Sequence, residues 1–188
     1  GERLYAAYGN GIDAIQTQTA HQPVLADVLA FQGGFTSPTD MCSGTTVAGR
    51  KRLYVLGATS LQVYEPGELN PYVGAVSLAG NAAAARLSVD GRFVLVTRHP
   101  VSTAPGQPIT VVTTIDADTL AVVRENATSV CPNPGLPCTV PANAPVAVTT
   151  DASHGFIGDP VFHQMRYLYL DPPRRPYVMS FLEEAISG

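Results

Sequence analysis

The sequence predicts an all-β protein built from repeated antiparallel sheets of four strands. Long helical patterns are nearly absent. Short apolar runs rich in Val, Ile, Leu, Tyr and Thr alternate with turns containing Gly, Pro, Asn or Asp, as expected for strands joined by tight connections. Similar stretches also recur at intervals of about 40 to 60 residues, which indicates a repeat architecture.

The predicted strands are short and bounded by turn residues. The clearest are Arg52–Leu56, Leu61–Tyr64, Val73–Leu78, Ala84–Val89, Phe93–Thr97, Ile109–Ile115, Leu120–Arg124 and Val146–Thr150. The run Ala82–Ala85 has good helix propensity, but the hairpin sequence after it favours a packed strand of small residues.

The repeat is visible at the starts of three strands. Arg3-Leu4-Tyr5, Arg52-Leu53-Tyr54 and Arg92-Phe93-Val94 each follow a turn region and open an apolar run. The next strand begins at Ile12 in the first case and at Leu61 in the second, nine residues after the arginine. In the third case the insertion HPVSTAPGQP delays it to Ile109.

Two turns that follow these strands also match. YEPGEL at 64–69 and IDADTL at 115–120 each lead into a further strand. The units are therefore expected near residues 1–44, 45–80, 81–130 and 144–188, within one domain.

The stretches LSVDGRFVLVT (87–97) and VTTDASHGFIG (148–158) are predicted to be the first hairpins of two units. Asp90 can bond its own backbone and Gly91 accepts positive φ, so this pair suits a tight turn. The turn at 151–153 has poorer turn chemistry and a wider loop.

Composition excludes two classes of function. The chain of 188 residues is long enough for one sizeable domain. Its net charge is −4 and it has no basic stripe, which argues against nucleic-acid binding. No run approaches the roughly 18 apolar residues of a transmembrane helix, so no membrane-spanning segment is expected.

The cysteines suggest an oxidising compartment. Cys131 and Cys138 bracket the loop CPNPGLPC, in which Pro and Gly turn the chain back on itself. A local disulfide there implies an extracellular or periplasmic protein, and Cys42 is left without a partner. Three free thiols are the alternative.

No residue pattern predicts a catalytic, metal or cofactor site. The four histidines lack metal-ligand spacing, and there is no Gly-x-Ser-x-Gly element. The weak candidates for a pocket are Asp151, His154, Asp159 and His163, which lie in or near one hairpin, and solvent-exposed loop histidines are the alternative. No metal and no cofactor are expected.

LSVDGRFVLVT, ITVVTTIDADTLAVV and RKRLYVLG…LQVYEPGEL resemble the YVTN or lactonase-like β-propeller repeats. They are also similar to the propellers of quinoprotein amine dehydrogenases. The resemblance implies about four propeller blades, each a four-stranded sheet, whereas such rings generally close with about seven. Further chain material or a stable assembly is therefore expected to complete the propeller.

The resemblance leaves three classes of function open, because the repeat is a scaffold. The favoured one is a non-catalytic module of an exported protein that serves protein interaction or assembly, with recognition by the loops at 100–108 and 131–141. The alternatives are a lactonase-like hydrolase with a site at the propeller mouth and a subunit of a quinoprotein-type dehydrogenase.

Overall fold

The computed structural model describes residues 2–17, 24–35, 37–99, 108–130, 146–148, 154–159 and 164–169. These residues form fourteen strands: β1 (Glu2–Tyr8), β2 (Gly11–Thr17), β3 (Val24–Ala30), β4 (Pro38–Thr45), β5 (Lys51–Gly57), β6 (Ser60–Tyr64), β7 (Tyr72–Ser77), β8 (Asn81–Leu87), β9 (Phe93–His99), β10 (Pro108–Asp116), β11 (Val122–Val130), β12 (Val146–Val148), β13 (His154–Asp159) and β14 (Gln164–Tyr169). No helix occurs among the residues described, so none there is long and apolar enough to cross a membrane.

The strands form four antiparallel sheets, and in each sheet the spatial order follows the chain. The first sheet is β1-β2-β3, the second β4-β5-β6-β7, the third β8-β9-β10-β11 and the fourth β12-β13-β14. The all-β prediction is confirmed. Both predicted first hairpins form as well, because β8 pairs with β9 and β12 pairs with β13.

The observed strands differ from the predicted ones at several boundaries. Residues 38–45 are the first strand of the second sheet, so the expected division between residues 44 and 45 lies inside β4. Leu120 lies in a turn with φ of 63° rather than in a strand, and β11 begins at Val122. Ala82–Ala85 lies within β8, as predicted.

The proposed equivalence of three arginines holds for two of them. Leu4 pairs with Ile15 as Leu53 pairs with Tyr64, so Arg3 and Arg52 occupy the same position in their sheets. Arg92 instead precedes β9, which begins at Phe93.

The turn between β8 and β9 shows what Asp90 and Gly91 contribute. Asp90 Oδ1 accepts hydrogen bonds from Ser88 Oγ (2.6 Å) and from the amide of Arg92 (3.1 Å). Gly91 has φ of +72°. Its Cα lies so close to the second sheet that a Cβ would clash with the Thr45 carbonyl oxygen and sit 3.1 Å from Thr46 Cα. The glycine therefore satisfies both a turn and a contact between sheets.

The core lies between successive sheets. Tyr54, Leu56 and Leu61 of the second sheet pack with Val94 and Val96 of the third. On the other side, the second sheet packs against the first through a separate cluster of Ile12, Leu29, Leu53, Val55 and Tyr64. The second sheet is thus covered on both faces.

Candidate protein interface on the first sheet

Alternation along β5 sends its side chains to the two neighbouring sheets. Leu53 and Val55 contact the first sheet, whereas Tyr54 and Leu56 contact the third. All four are at most 1% exposed. Because successive strand residues point to opposite faces, an uninterrupted apolar run marks a sheet buried on both sides.

Arg52 connects the second and third sheets. Its Nη1 donates to the carbonyl oxygens of Ala117 (2.6 Å) and Asp118 (2.8 Å), in the turn between β10 and β11. Its Nε donates to Glu65 Oε1 at 2.9 Å, and its side chain is 1% exposed. The charge is therefore buried, paired and used to hold two sheets together.

Other polar groups join the same two sheets. Asp118 accepts from Thr46 Oγ1 and, at 3.2 Å, from the amide of Ala48. Asp40 Oδ2 accepts from the amide of Ala85 (2.9 Å) and from Arg86. These carboxylates act as structural acceptors between neighbouring sheets.

Tyr54 belongs to this contact as well. Its hydroxyl donates to the Ala117 carbonyl at 3.0 Å. Burial raises the pKa of Tyr54 above its usual range, and the Arg52 cation opposes that rise. The phenol is therefore neutral at physiological pH and acts as a donor.

Among the residues that the structure describes, the first sheet is covered on one face only. Ile12 and Leu29 are at most 1% exposed where that sheet meets the second. On the opposite face Leu4 is 58% exposed, Leu25 56% and Val28 52%. We call the surface formed by Leu4, Ala6, Tyr8, Ile15, Leu25 and Val28 the open face.

Strand register places these residues in rows across the sheet. Leu4 lies opposite Ile15, which lies opposite Leu25, and Val28 lies opposite Asp13 in the next row. The apolar side chains are therefore contiguous rather than scattered. Contiguous exposed apolar surface on a folded protein is typical of an interaction surface.

The second sheet shows what normally covers a surface of this kind. By register, Leu4 corresponds to Leu53 and Ile15 corresponds to Tyr64. Leu53 and Tyr64 are each 1% exposed because the first sheet packs on them. The open face is thus the counterpart of a surface that takes a neighbouring sheet.

The first sheet also has an unpaired edge. Among the strands described, β1 is hydrogen-bonded to β2 alone, whereas its counterpart β5 lies between β4 and β6. The three strands of the first sheet therefore correspond to β5, β6 and β7, and no described strand occupies the position of β4 beside β1.

Two clefts lie at opposite ends of β5. One, of about 530 Å³, is lined by Gly34, Gly57 and Gln62, among others. Gln62 Nε2 donates to the Gln32 carbonyl at 2.6 Å and its Oε1 accepts from the Gln32 amide at 3.2 Å, so the side chain already holds the loop before β4.

The second cleft, of about 450 Å³, has three cations in its wall: Arg3, Lys51 and Arg52. The Arg52 guanidinium already donates hydrogen bonds to Glu65 and to two backbone carbonyl groups. The buried polar side chains noted in both clefts therefore already bond to protein groups, and neither cleft carries a convergent set of reactive residues.

The pocket candidates from the sequence are only partly described. His154 begins β13 and Asp159 ends it, so their backbones are separated by roughly 17 Å along the strand. Asp151 and His163 lie outside the described residues, as do Cys131 and Cys138. No group of three or more His, Cys, Asp and Glu residues in the described segments is arranged to hold a metal ion.

Cys42 is a free, partly buried thiol on β4. It packs against the apolar cluster between the second and third sheets. Burial raises its pKa to about 12. The thiol is therefore protonated at neutral pH and is a poor nucleophile, since the thiolate is the reactive form.

The open face was not singled out in the sequence. A usable signal was present in LYAAY, residues 4–8, because both alternating sets of side chains in it are apolar or aromatic. Such a strand needs cover on two sides. The described part of the chain provides that cover on one side.

No family model matches the chain, and no curated protein sequence matches it. Solved structures that resemble its fold include Kuenenia stuttgartiensis hydrazine synthase (TM-score 0.61, 16% identity, 91% of this chain and 43% of that one) and Kluyveromyces lactis Hsv2 (0.57, 12%, 92% and 47%). An active polycomb repressive complex 2 in the basal state is also similar (0.63, 12%, 90% and 34%).

The chain spans less than half the length of each of these three structures. At such low identity the likeness concerns the fold alone. Together with the four chain-ordered antiparallel sheets, it shows that the sheets of this protein are blades of a β-propeller.

Proposed function

We propose that this chain is a non-catalytic β-propeller module of an exported protein and serves protein interaction or assembly. The observation that carries the proposal is the open face, where Leu4, Leu25 and Val28 are each more than half exposed. In the second blade the corresponding surface is buried by a neighbouring blade. A protein partner or further propeller material is the natural cover for it.

The hydrogen bonds made by several charged side chains support a structural role for those side chains. Arg52, Asp118 and Asp40 bond to groups of an adjacent blade. Arg98 bonds to Thr113 and Glu125 within its own sheet and to the Ala79 carbonyl. These ionisable groups stabilise the blades.

The YVTN-like repeat and export are finer parts of the same proposal. The repeat is supported by the Ser88–Asp90–Gly91 turn and by the matching registers of β1-β2 and β5-β6. Export rests on the pairing of Cys131 with Cys138. Intact masses of alkylated protein with and without reductant would differ if that disulfide is present.

Hydroxyl-radical footprinting tests the interaction role. The chain isolated as a native particle from its source is compared with the same chain after dilution to a monomer. We expect the oxidation of Leu4, Tyr8 and Leu25 to be several-fold slower in the native particle. A covering partner would remove these side chains from solvent, as in the buried core of a protein interface. Leu69, which is 98% exposed in a turn, is the control and should react equally in both.

Oxidation of Leu4, Tyr8 and Leu25 in the native particle at the rate expected of fully accessible side chains would contradict the proposal. The open face would then be solvent-exposed in the working protein.

A further inference from the structure

We propose that the cleft of about 450 Å³ between the first and second blades binds the phosphate group of a small organic ligand, with Arg3 and Lys51 as its cationic partners. The proposal goes beyond the interaction role and does not depend on it. Arg3 belongs to the face of β1 that lies opposite the open face, so the two surfaces can be tested separately.

Strand alternation directs both cations into the gap between the two blades. Tyr5 packs on the apolar cluster of Leu53 and Val55, and Arg3 lies two residues earlier on the same face of β1. Lys51 lies two residues before Leu53 on the same face of β5. The contact between the blades therefore changes from apolar to cationic at one end.

The charges in the wall of this cleft all have one sign. Its described lining contains three cations and no carboxylate: Arg3, Lys51 and Arg52. Arg52 is paired with Glu65, and Arg50 faces the same carboxylate at 3.7 Å. Among the described residues, Arg3 and Lys51 form no ion pair. These two positive charges are therefore available to an anion.

The guanidinium of Arg3 packs against a glycine of the second blade. Gly67 lies in the turn after β6 and has φ of +101°. A Cβ at Gly67 would lie 3.3 Å from Arg3 Nη1 and 3.7 Å from Nη2. Arg3 thus reaches from the first blade across to the second, onto backbone that carries no side chain. A group that is held in place before binding loses less conformational entropy when a ligand arrives.

A phosphate group matches the donors of this cleft better than a carboxylate does. Arginine offers a planar fork of N–H donors and lysine a compact point charge, and both are established phosphate ligands in proteins. The wall also contains the hydroxyl groups of two exposed residues, Ser43 and Thr45. A phosphate monoester has three acceptor oxygens and up to two negative charges, so it can use both cations and the hydroxyl donors together.

The dimensions of the cleft indicate that the ligand is larger than a single ion. Small-molecule sites have volumes of about 300 to 1,000 Å³, and this cleft falls within that range. The half-buried ring of Tyr5 lines the same cleft and offers apolar surface to an organic group. We therefore expect phosphate monoesters to bind more tightly than inorganic phosphate.

Amide NMR spectra of the isotope-labelled full chain, recorded at constant ionic strength, test the site. Addition of inorganic phosphate or of phenyl phosphate should shift the signals of Thr45, Lys51 and Gly67 in a saturable manner. Arg3→Gln and Lys51→Gln should each raise the dissociation constant about tenfold, because each variant loses a charge-assisted hydrogen bond.

Arg92→Gln is the matched control, because Arg92 is an exposed arginine outside the cleft, and this variant should bind phenyl phosphate like the wild type. Both cleft variants change exposed side chains, and their amide spectra establish that a loss of binding is not a loss of fold. Vesicles that contain phosphatidic acid present the same group on a lipid. They should sediment no more of the chain than vesicles of phosphatidylcholine alone.

The absence of a saturable shift with both soluble probes overturns the site. So do unchanged dissociation constants in Arg3→Gln and Lys51→Gln, or equal shifts when sodium chloride replaces phosphate at the same ionic strength. Binding to the phosphatidic acid vesicles alone overturns a soluble ligand. None of these outcomes involves the open face, so the proposed function would stand after any of them.

Discussion

At the scale of single residues, this protein uses buried polar groups to fix one blade against the next. Arg52 is the clearest case, because three acceptors surround a guanidinium that has almost no contact with water. A buried cation is tolerated only when paired and hydrogen-bonded, so removing the cation leaves its acceptors without partners.

We therefore expect Arg52→Gln to lower the free energy of unfolding by about 3 kcal/mol, since breaking a buried ion pair costs about 3 to 5 kcal/mol. Arg50→Gln is the matched control. Arg50 faces the same carboxylate at 3.7 Å but is 56% exposed, and an exposed pair contributes about 0 to 1 kcal/mol. Urea unfolding of both variants measures the difference, and equal midpoints would show that Arg52 is not a structural connector.

At the scale of elements, the β8–β9 hairpin combines a turn with a contact between blades. The sequence indicated the turn, because Asp90 and Gly91 have the chemistry that a tight reversal needs. It did not indicate that the same glycine lies against Thr45 of the neighbouring blade. That contact depends on tertiary packing, which no local pattern contains.

Replacing Gly91 by Ala should destabilise the protein through two effects. The residue has φ of +72°, where a Cβ costs about 1 to 2 kcal/mol, and the added methyl group would also collide with the Thr45 carbonyl. Gly49→Ala isolates the first effect, because Gly49 has φ of +79° and a methyl group added there would meet nothing within 4 Å. Thermal unfolding should show a clearly larger loss for Gly91→Ala, and similar losses would rule out the inter-blade clash.

The strands that could be predicted are those with a strong apolar pattern. β5, β6, β9 and β10 lie in the middle of sheets, and their runs of Val, Leu and Ile are buried on both faces. β4 was not predicted, because its sequence, PTDMCSGT, has few apolar residues and begins with proline. It is a strand because β5 supplies its hydrogen-bond partners.

The open face illustrates a second limit of the sequence. An apolar strand such as β1 indicates that cover is needed, but the sequence of the strand is the same whether the cover is present or not. The repeat could be recognised from Arg3-Leu4-Tyr5 and Arg52-Leu53-Tyr54. Which of the two blades is covered on both faces followed only from the packing.

At the scale of the whole molecule, stability should vary along the stack of blades. In a repeat protein each unit is stabilised mainly by its nearest neighbours. The second blade has two of these and the first has one among the described blades. The first blade should therefore open more readily than the second.

Amide hydrogen exchange on a variant with Leu4→Lys and Leu25→Lys checks this gradient, because the two added charges keep the open face uncovered. We expect amides of β5 and β6 to exchange at least about tenfold more slowly than those of β1 and β2, since local opening costs less where fewer apolar contacts are broken. Uniform protection across both blades would mean that the chain opens only as a whole.

The unpaired edge of β1 has a consequence for the folding of newly synthesised protein in the cell. Along one side of these seven extended residues no other described strand pairs with the backbone donors and acceptors, and no charged residue lies between Leu4 and Tyr8. Such a segment is a template for cross-β growth whenever nascent chains meet. Early capture of this strand would protect newly made protein from amyloid-like deposition, and charged substitutions along it would slow fibril nucleation.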